Sequence, residues 1–308
     1  MLGPLCIGCT AFAIDAADHS QGVPNLWRTL SRAVCKNVRD KKHRIAIDDS
    51  KKLKGAKSAT SHPLTRLERG VLSFLLTKSE LPTTDQEFFE RLAIASPNEP
   101  WYDSTTLLPL ANDPNQLRVS CARLSHTFYN AGVRCEAMKC AVIDAGEFNR
   151  QISQMHNKAS VNICCIMRFI NGLWKRWPSD DLRIVVDRQG GRTRYLEILQ
   201  LSFEDAQIRI LGESPSESRY QLCCGRNTMK LSFLREAESQ HLPVALASMI
   251  AKYVRELRML RLNRFFQEQM PALAPTAGYV KDARRYLAQI EPVIDRLGLK
   301  RSELIRTV

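Results

Sequence analysis

Asp187 ends the β-branched run Ile184-Val185-Val186, and a carboxylate at the tip of a buried strand is held where a metal ion and a phosphate can both reach it. The stretch after it, Arg188-Gln189-Gly190-Gly191-Arg192, must turn, so the same aspartate would also suit a turn. Glu238 stands in Arg235-Glu236-Ala237-Glu238-Ser239 just ahead of a predicted helix, where a carboxylate equally favours the helix start. Its interest lies in the run downstream of it, Ala245-Leu246-Ala247-Ser248-Met249-Ile250-Ala251-Lys252, whose small residues permit close approach of a strand or a substrate backbone, or simply close packing. Lys51 and Lys52, in Asp48-Asp49-Ser50-Lys51-Lys52-Leu53, join this chemistry only if their loop faces the same cleft; otherwise they are surface lysines.

The 308 residues carry 45 Lys and Arg against 32 Asp and Glu, a formal charge of +13, which favours a polyanionic partner such as nucleic acid. Arg255, Arg258, Arg261 and Arg264 recur at three-residue intervals beside the apolar stripe Ile250, Val254 and Leu257. That is the pattern of a phosphate-facing helix or, more commonly, of a solvated basic face. Most of the ten cysteines sit in apolar stretches, as buried free thiols do, which points to a reducing cytoplasm. Cys6 and Cys9 form a lone C-x-x-C with no second pair or nearby histidine, so they read as core and not as zinc ligands. The apolar start, Leu2 to Ile14, is too short to span a bilayer and has no Lys or Arg before it, so neither anchor nor signal peptide is expected.

Positioning these groups takes strands and helices whose patterns are visible. Residues 2–14, 133–143, 184–187 and a run around 229–234 read as strands, and 207–211 with 219–224 make an antiparallel hairpin. Residues 63–96 are mostly helical, Lys158 to Trp177 form a largely buried helix, and Val244 to about Gln269 runs as one long helix. A further helix, holding Tyr286, begins near Lys281. Pro97 to Pro114 is proline-punctuated and aperiodic, which reads as a long ordered loop or insertion, and Leu117 to Asn130 has no clear period.

Taken together, four segments resemble the type 2 ribonuclease H family in type and in order: Asp49-Ser50-Lys51-Lys52-Leu53, Val185-Val186-Asp187, Ala247-Ser248-Met249-Ile250-Ala251-Lys252 and Gly278-Tyr279. The first and third are the most specific, and the resemblance reaches from residue 2 to roughly residue 290. It implies an α/β fold, a ribonuclease H-like mixed sheet flanked by helices. Residues 1–255 would form that domain, with an insertion near 77–117, and residues 256–308 a helical extension packed on it. The activity implied is endonucleolytic hydrolysis of the RNA strand of RNA/DNA hybrids, assisted by divalent Mg or Mn.

By the same resemblance, Asp187 is the third of four family carboxylates and Glu238 the fourth, where the family commonly has aspartate; both would bind metal. Lys51, Lys52 and Lys252 would contact backbone phosphates or the site carboxylates. Tyr279 would pack on the ribose beside the cut and sense its 2′-hydroxyl, the alternative being a Gly-Tyr turn that closes the core.

The family's first two carboxylates belong to an Asp-Glu-x-x-Gly segment on its opening strand, followed by a stretch that Leu2-Gly3-Pro4-Leu5 resembles. The resemblance therefore implies a start past that strand, with neither Asp15 nor Asp18 placed to replace it. A site with two metals about 4 Å apart needs ligands from several sides, so the chain as it stands would be impaired. The alternative is a non-catalytic nucleic-acid-binding relative that uses Arg255 to Arg264; under either reading a monomer is favoured. Two departures bear on substrate choice: the stretch from Asp187 to Glu238 is longer than in compact members, and that around Trp101 has no family counterpart.

Overall fold

A computed structural model describes residues 1–15, 24–55, 61–155, 157–178 and 181–307. In chain order, β1 (Leu5–Ile14) is followed by α1 (Leu26–Thr29), the short parallel pair β2 (Val34–Cys35) and β3 (Ile45–Ala46), α2 (Ser50–Leu53), α3 (Thr65–Leu76), α4 (Asp85–Arg91) and α5 (Pro114–Ala131). β4 (Val133–Ile143), α6 (Ala145–Met155) and α7 (Lys158–Arg176) lead to β5 (Leu182–Asp187), then α8 (Leu196–Ser202), β6 (Gln207–Glu213), β7 (Glu217–Cys224) and β8 (Asn227–Leu234). The chain closes with α9 (Ala237–Gln240), α10 (Leu242–Gln269), α11 (Val280–Leu297) and α12 (Arg301–Leu304).

The architecture is mixed α/β with a helical C-terminal region. β1 and β4 pair antiparallel, Leu5 opposite Ile143 and Ile14 opposite Val133. The second sheet has the order β5-β8-β7-β6, parallel between β5 and β8 and antiparallel elsewhere. In β7 and β8 the residues of one face, Tyr220, Leu222, Met229, Leu231 and Phe233, are wholly buried, as period-two patterning requires. Tyr195 stacks on Phe233 with ring centroids 3.6 Å apart.

α10 is the spine on which the rest is hung. It is apolar on most sides, burying Leu246, Met249, Ile250, Tyr253, Val254, Leu257, Leu262 and Phe266, and a helix apolar all round must be enclosed. It lies directly on β1: Thr10 Oγ1 donates to the Pro243 carbonyl at 2.8 Å. A Cβ added at Gly8 would stand 1.9 Å from the Ala247 carbonyl oxygen, so only glycine lets strand and helix come this close. α10 runs through Arg255 and Glu256 without a break, and the boundary expected between residues 255 and 256 falls inside it.

Two sequence expectations change, for α5 and for the arginines of α10, and the ordered loop expected at Pro97–Pro114 finds its anchor. Leu117–Asn130, which shows no clear period, lies within the regular helix α5, held at its start by Asp113, whose side chain accepts from the Asn115 and Gln116 amides. The stretch Pro97–Pro114 is tied down by the buried Glu68, whose carboxylate accepts from the amides of Leu110 (2.7 Å) and Ala111 (2.8 Å), from Asn112 Nδ2 (2.9 Å) and from the Tyr253 hydroxyl (2.7 Å). Two of the four arginines expected on an open face of α10 are buried, and the other two are partly exposed. Arg258 and Arg261 are each 1% exposed, because the segment from Asp85 to Thr106 covers that half of the helix. Arg261 grips both Asp85 oxygens (2.7 and 2.5 Å) and the Tyr102 carbonyl (2.6 Å), Arg258 lies over the Phe89 and Tyr102 rings, and Arg264 donates to the Thr105 carbonyl at 2.7 Å.

No helix among the described residues is long and apolar enough to cross a membrane.

Candidate functional site

β5 carries Asp187 to its C-terminal tip, where Oδ1 accepts from the Ala237 amide at 3.0 Å and so ties the strand to α9. Glu238 is the next residue of that short helix. Burial raises the Asp187 carboxyl above its ordinary range, with the Glu236 charge adding to the rise, while the Ala237 and Arg188 amides and Lys51 oppose it. Glu238 is raised in the same way, by burial first and then by the charges of Asp49 and Asp187, against the Ser248 hydroxyl and Lys51. Glu238 therefore feels the Asp187 charge, and both carboxylates feel Lys51.

α2 and α10 supply the rest of this corner. Asp49 caps α2 by accepting from the Lys51 amide at 2.8 Å, and Ser248 Oγ donates to Ser50 Oγ at 3.1 Å, which fixes α2 against α10. Lys51 is thereby held within electrostatic reach of the carboxylates, whereas Lys52 pairs at 3.7 Å with Asp48, one turn back, with its side chain 63% exposed. Asp49 is the acidic neighbour that residue-by-residue reading passed over. It stands in the Asp-Ser-Lys-Lys-Leu segment, but aspartate ahead of a helix is so common as a cap that its type alone carries no chemical signal.

Four residues along α10 from Ser248, a rise of about 6 Å, Lys252 donates to the Tyr279 hydroxyl at 3.0 Å and pairs with Glu256 at 2.9 Å; Glu256 also takes Lys54 at 2.8 Å. Burial works against the Lys252 charge, but Tyr279 and Glu256 hold its ammonium above the ordinary value. The Tyr279 hydroxyl is held below its own ordinary value, Lys252 and Arg255 outweighing the effect of burial. The ring remains 49% exposed, with the Lys252 ammonium 5.5 Å and the Arg255 guanidinium 5.0 Å from its centroid.

The turn that presents Tyr279 is clamped to the start of β1. The Leu2 amide donates to the Gly278 carbonyl at 3.0 Å, and Arg255 Nη2 donates to the carbonyls of Leu2 (3.2 Å) and Ala277 (3.1 Å). Gly278 takes φ +78°, and a Cβ there would meet the Leu2 carbonyl oxygen at 2.7 Å, so conformation and space both demand glycine.

Asp15 lies at the other end of β1, ion-paired with Arg134 at 2.6 Å; Asp18 falls outside the described residues. Cys9, expected in the core, is a partly exposed thiol that lines the groove beside β1, and desolvation pushes it up to about 12. Asp187 and Glu238 are the donor type a hard divalent cation takes. Among the described residues, no group of three or more His, Cys, Asp or Glu stands ready to hold a metal ion.

Both carboxylates line a groove of about 1360 Å³ between β1, β5, α7 and α10. A hollow of about 380 Å³, lined by Arg188, Pro215, Arg235 and Glu236, lies on another side of Asp187. In comparisons with family models, curated proteins and solved structures, the chain matched none.

Proposed function

We propose that this chain is a ribonuclease H-like endonuclease of the type 2 kind, directed at the RNA strand of RNA/DNA hybrids. The observation that carries the proposal is the meeting of Asp187 and Glu238, far apart in sequence, as half-buried carboxylates, both raised by burial and Glu238 further by the Asp187 charge, beside Lys51. Two such groups repel unless a proton or a cation comes between them, and perturbed carboxylates in a cleft are a mark of functional sites. Asp187 and Glu238 would hold a divalent cation, Mg or Mn, which when bound supplies positive charge for the phosphate and an acidified water. Lys51 would stand near the phosphate, and Tyr279, about one turn away along α10 and half exposed, would meet the neighbouring sugar.

For the non-catalytic alternative, two of the four arginines it relied on, Arg258 and Arg261, are buried and engaged, whereas Arg255 and Arg264 are partly exposed.

The test is incubation of the full chain with end-labelled RNA/DNA hybrid, DNA duplex and RNA duplex, with Mg, with Mn and with chelator. The expected result is slow metal-dependent scission of the RNA strand of the hybrid alone, slow because two of the four carboxylates that the resemblance implies are missing, and lost in Asp187→Asn and Glu238→Gln. Hybrid-selective binding without metal-dependent scission would move the chain to the binding class. Equal handling of all three duplexes would overturn both readings.

A further inference from the structure

With Arg258 and Arg261 buried, the positive charge that this chain turns to solvent lies elsewhere. Between Arg28 and Arg44 stand seven Lys and Arg against the single carboxylate Asp40, a net +6 of the chain's +13. Asp40 is spent inside the stretch, one oxygen taking Arg44 Nη2 at 2.8 Å and the other its Nε at 3.2 Å. The remaining six cations are exposed, and none of them forms an ion pair among the described residues.

The tip of the stretch is pinned from behind by further cations. Arg123 of α5 donates to the Lys42 carbonyl at 2.9 Å, and Arg69 of α3 to the His43 carbonyl at 2.8 Å. Arg44 donates to the Ser31 carbonyl at 3.0 Å and closes the base. Burial, and then the Arg123 charge, hold the Arg69 guanidinium below its ordinary value. α5 brings no relief, since residues 114–135 contain no Asp or Glu. The fold therefore gathers like charge here where a merely solvated face would disperse it, which is the arrangement that attracts a polyanion.

The stretch adjoins the candidate site at both ends. Lys36 lies over the Trp27 ring, 4.0 Å from its centroid, and donates at 2.5 Å to the carbonyl of Ser239, the residue after Glu238. It lines the same groove as Asp187 and Glu238. At the other end the chain passes through β3 into Asp49 and Lys51. No large apolar side chain is exposed between residues 24 and 55, so this surface lacks the wedge with which basic segments enter a lipid interface.

We infer that the stretch from Arg28 to Arg44 is a second contact surface for the proposed substrate, taking the phosphate backbone of the duplex beside the cut and reading neither base nor sugar. The inference rests on the nuclease reading for the identity of the polyanion. Among the described residues the side chains of Arg39, Lys41 and Lys42 bond to nothing, which leaves them for phosphates and lets them be removed without disturbing the fold.

Fluorescence anisotropy of the full chain with labelled RNA/DNA hybrid and DNA duplex, in chelator and across a salt series, tests it beside the scission assay. The variant is the triple Arg39→Ala, Lys41→Ala and Lys42→Ala. The control, Lys175→Ala with Arg209→Ala and Arg226→Ala, removes the same charge from exposed positions on other elements. The triple variant should bind both duplexes at least about tenfold more weakly, with the slope of log affinity against log salt reduced by about 2–3, and the control should lose less than about threefold. Unchanged affinity and slope in the triple variant, or an equal loss in the control, would overturn the proposal. So would retention by phosphatidylserine vesicles without binding of either duplex, which would make the stretch a membrane face. Weakened binding in the triple variant with no scission by the unaltered chain would keep the surface and overturn the nuclease; scission with binding unaltered in the triple variant would do the reverse.

Discussion

Along α10, residues 242–252 are small and apolar and turn Ser248 and Lys252 toward α2, Glu238 and Tyr279, whereas residues 255–264 carry four arginines, two of them 1% exposed. The two halves belong to one unbroken helix, so the difference is set by what lies opposite. Over the first half β1 approaches to contact at Gly8 and leaves a groove beside it. Over the second, Asp85, Phe89 and Tyr102 close the surface and turn a basic stripe into internal scaffolding. Charge at three-residue spacing marks a face of a helix; it does not say what covers that face.

The comparison breaks most directly at Arg261. Arg261→Ala removes both bonds to Asp85 and leaves a buried carboxylate with no cation beside it and the Thr106 amide as its remaining donor, so stability should fall by about 3–5 kcal/mol in urea unfolding. Arg261→Met with Asp85→Leu, which removes both charges, should recover most of the loss. A loss under about 1 kcal/mol for the single variant would mean that the second half of α10 is no scaffold.

A smaller effect comes from pH. Burial foremost, with repulsion from Glu99, lifts Asp144 to about 6, while Arg258 and Tyr102 pull it down. The folded value lies above the ordinary 3.8, so the folded state holds the proton more tightly. The resulting stabilisation is full below about pH 4 and is lost as pH rises to about 6. Stability should decline over that window by on the order of 1–3 kcal/mol. Asp144→Asn should flatten most of the decline, with a residue left from Asp187 and Glu238, whose shifts have the same sign. An unchanged pH profile in the variant would remove Asp144 from the account.

Much of this was legible because each element's pattern agrees with its burial. β5, β8, α7, α10 and α11 announce themselves as β-branched runs or long uninterrupted apolar patterns. α5 does not, because Ser120 and Thr127 point inward while Val119 (66%) and Tyr129 (87%) point out, which erases the apolar period. Its ends were readable: Asp113-Pro114 is a cap followed by a first-turn proline, and Gly132 stands just past the last turn. The partnership of Asp187 with Glu238 came from segment resemblance and not from any spacing rule, since a strand tip and a short helix meet only through the fold. The burial of Arg258 could not be read at all, because Tyr102 reaches it from the aperiodic stretch and Phe89 from a separate helix, α4, and only the fold brings both onto α10.

The finest test separates two meanings of Tyr279. Tyr279→Phe keeps the ring under Lys252 and Arg255 and removes only the hydroxyl that accepts from Lys252. With half the ring in solvent, the stability cost should be about 0.5–1 kcal/mol, and a cycle with Lys252→Met should return most of it as coupling. A turn that merely closes the core predicts this and nothing more. If the hydroxyl also senses a ribose, the same variant should bring binding of RNA/DNA hybrid and of DNA duplex closer together, while Lys52→Ala, on a side chain pointing to solvent beside Asp48, should weaken both equally. Because Tyr279 is joined through Lys252 to the first half of α10, a change in discrimination without a large change in stability would mark that half as the working face. A stability loss with discrimination intact would make it scaffold like the second.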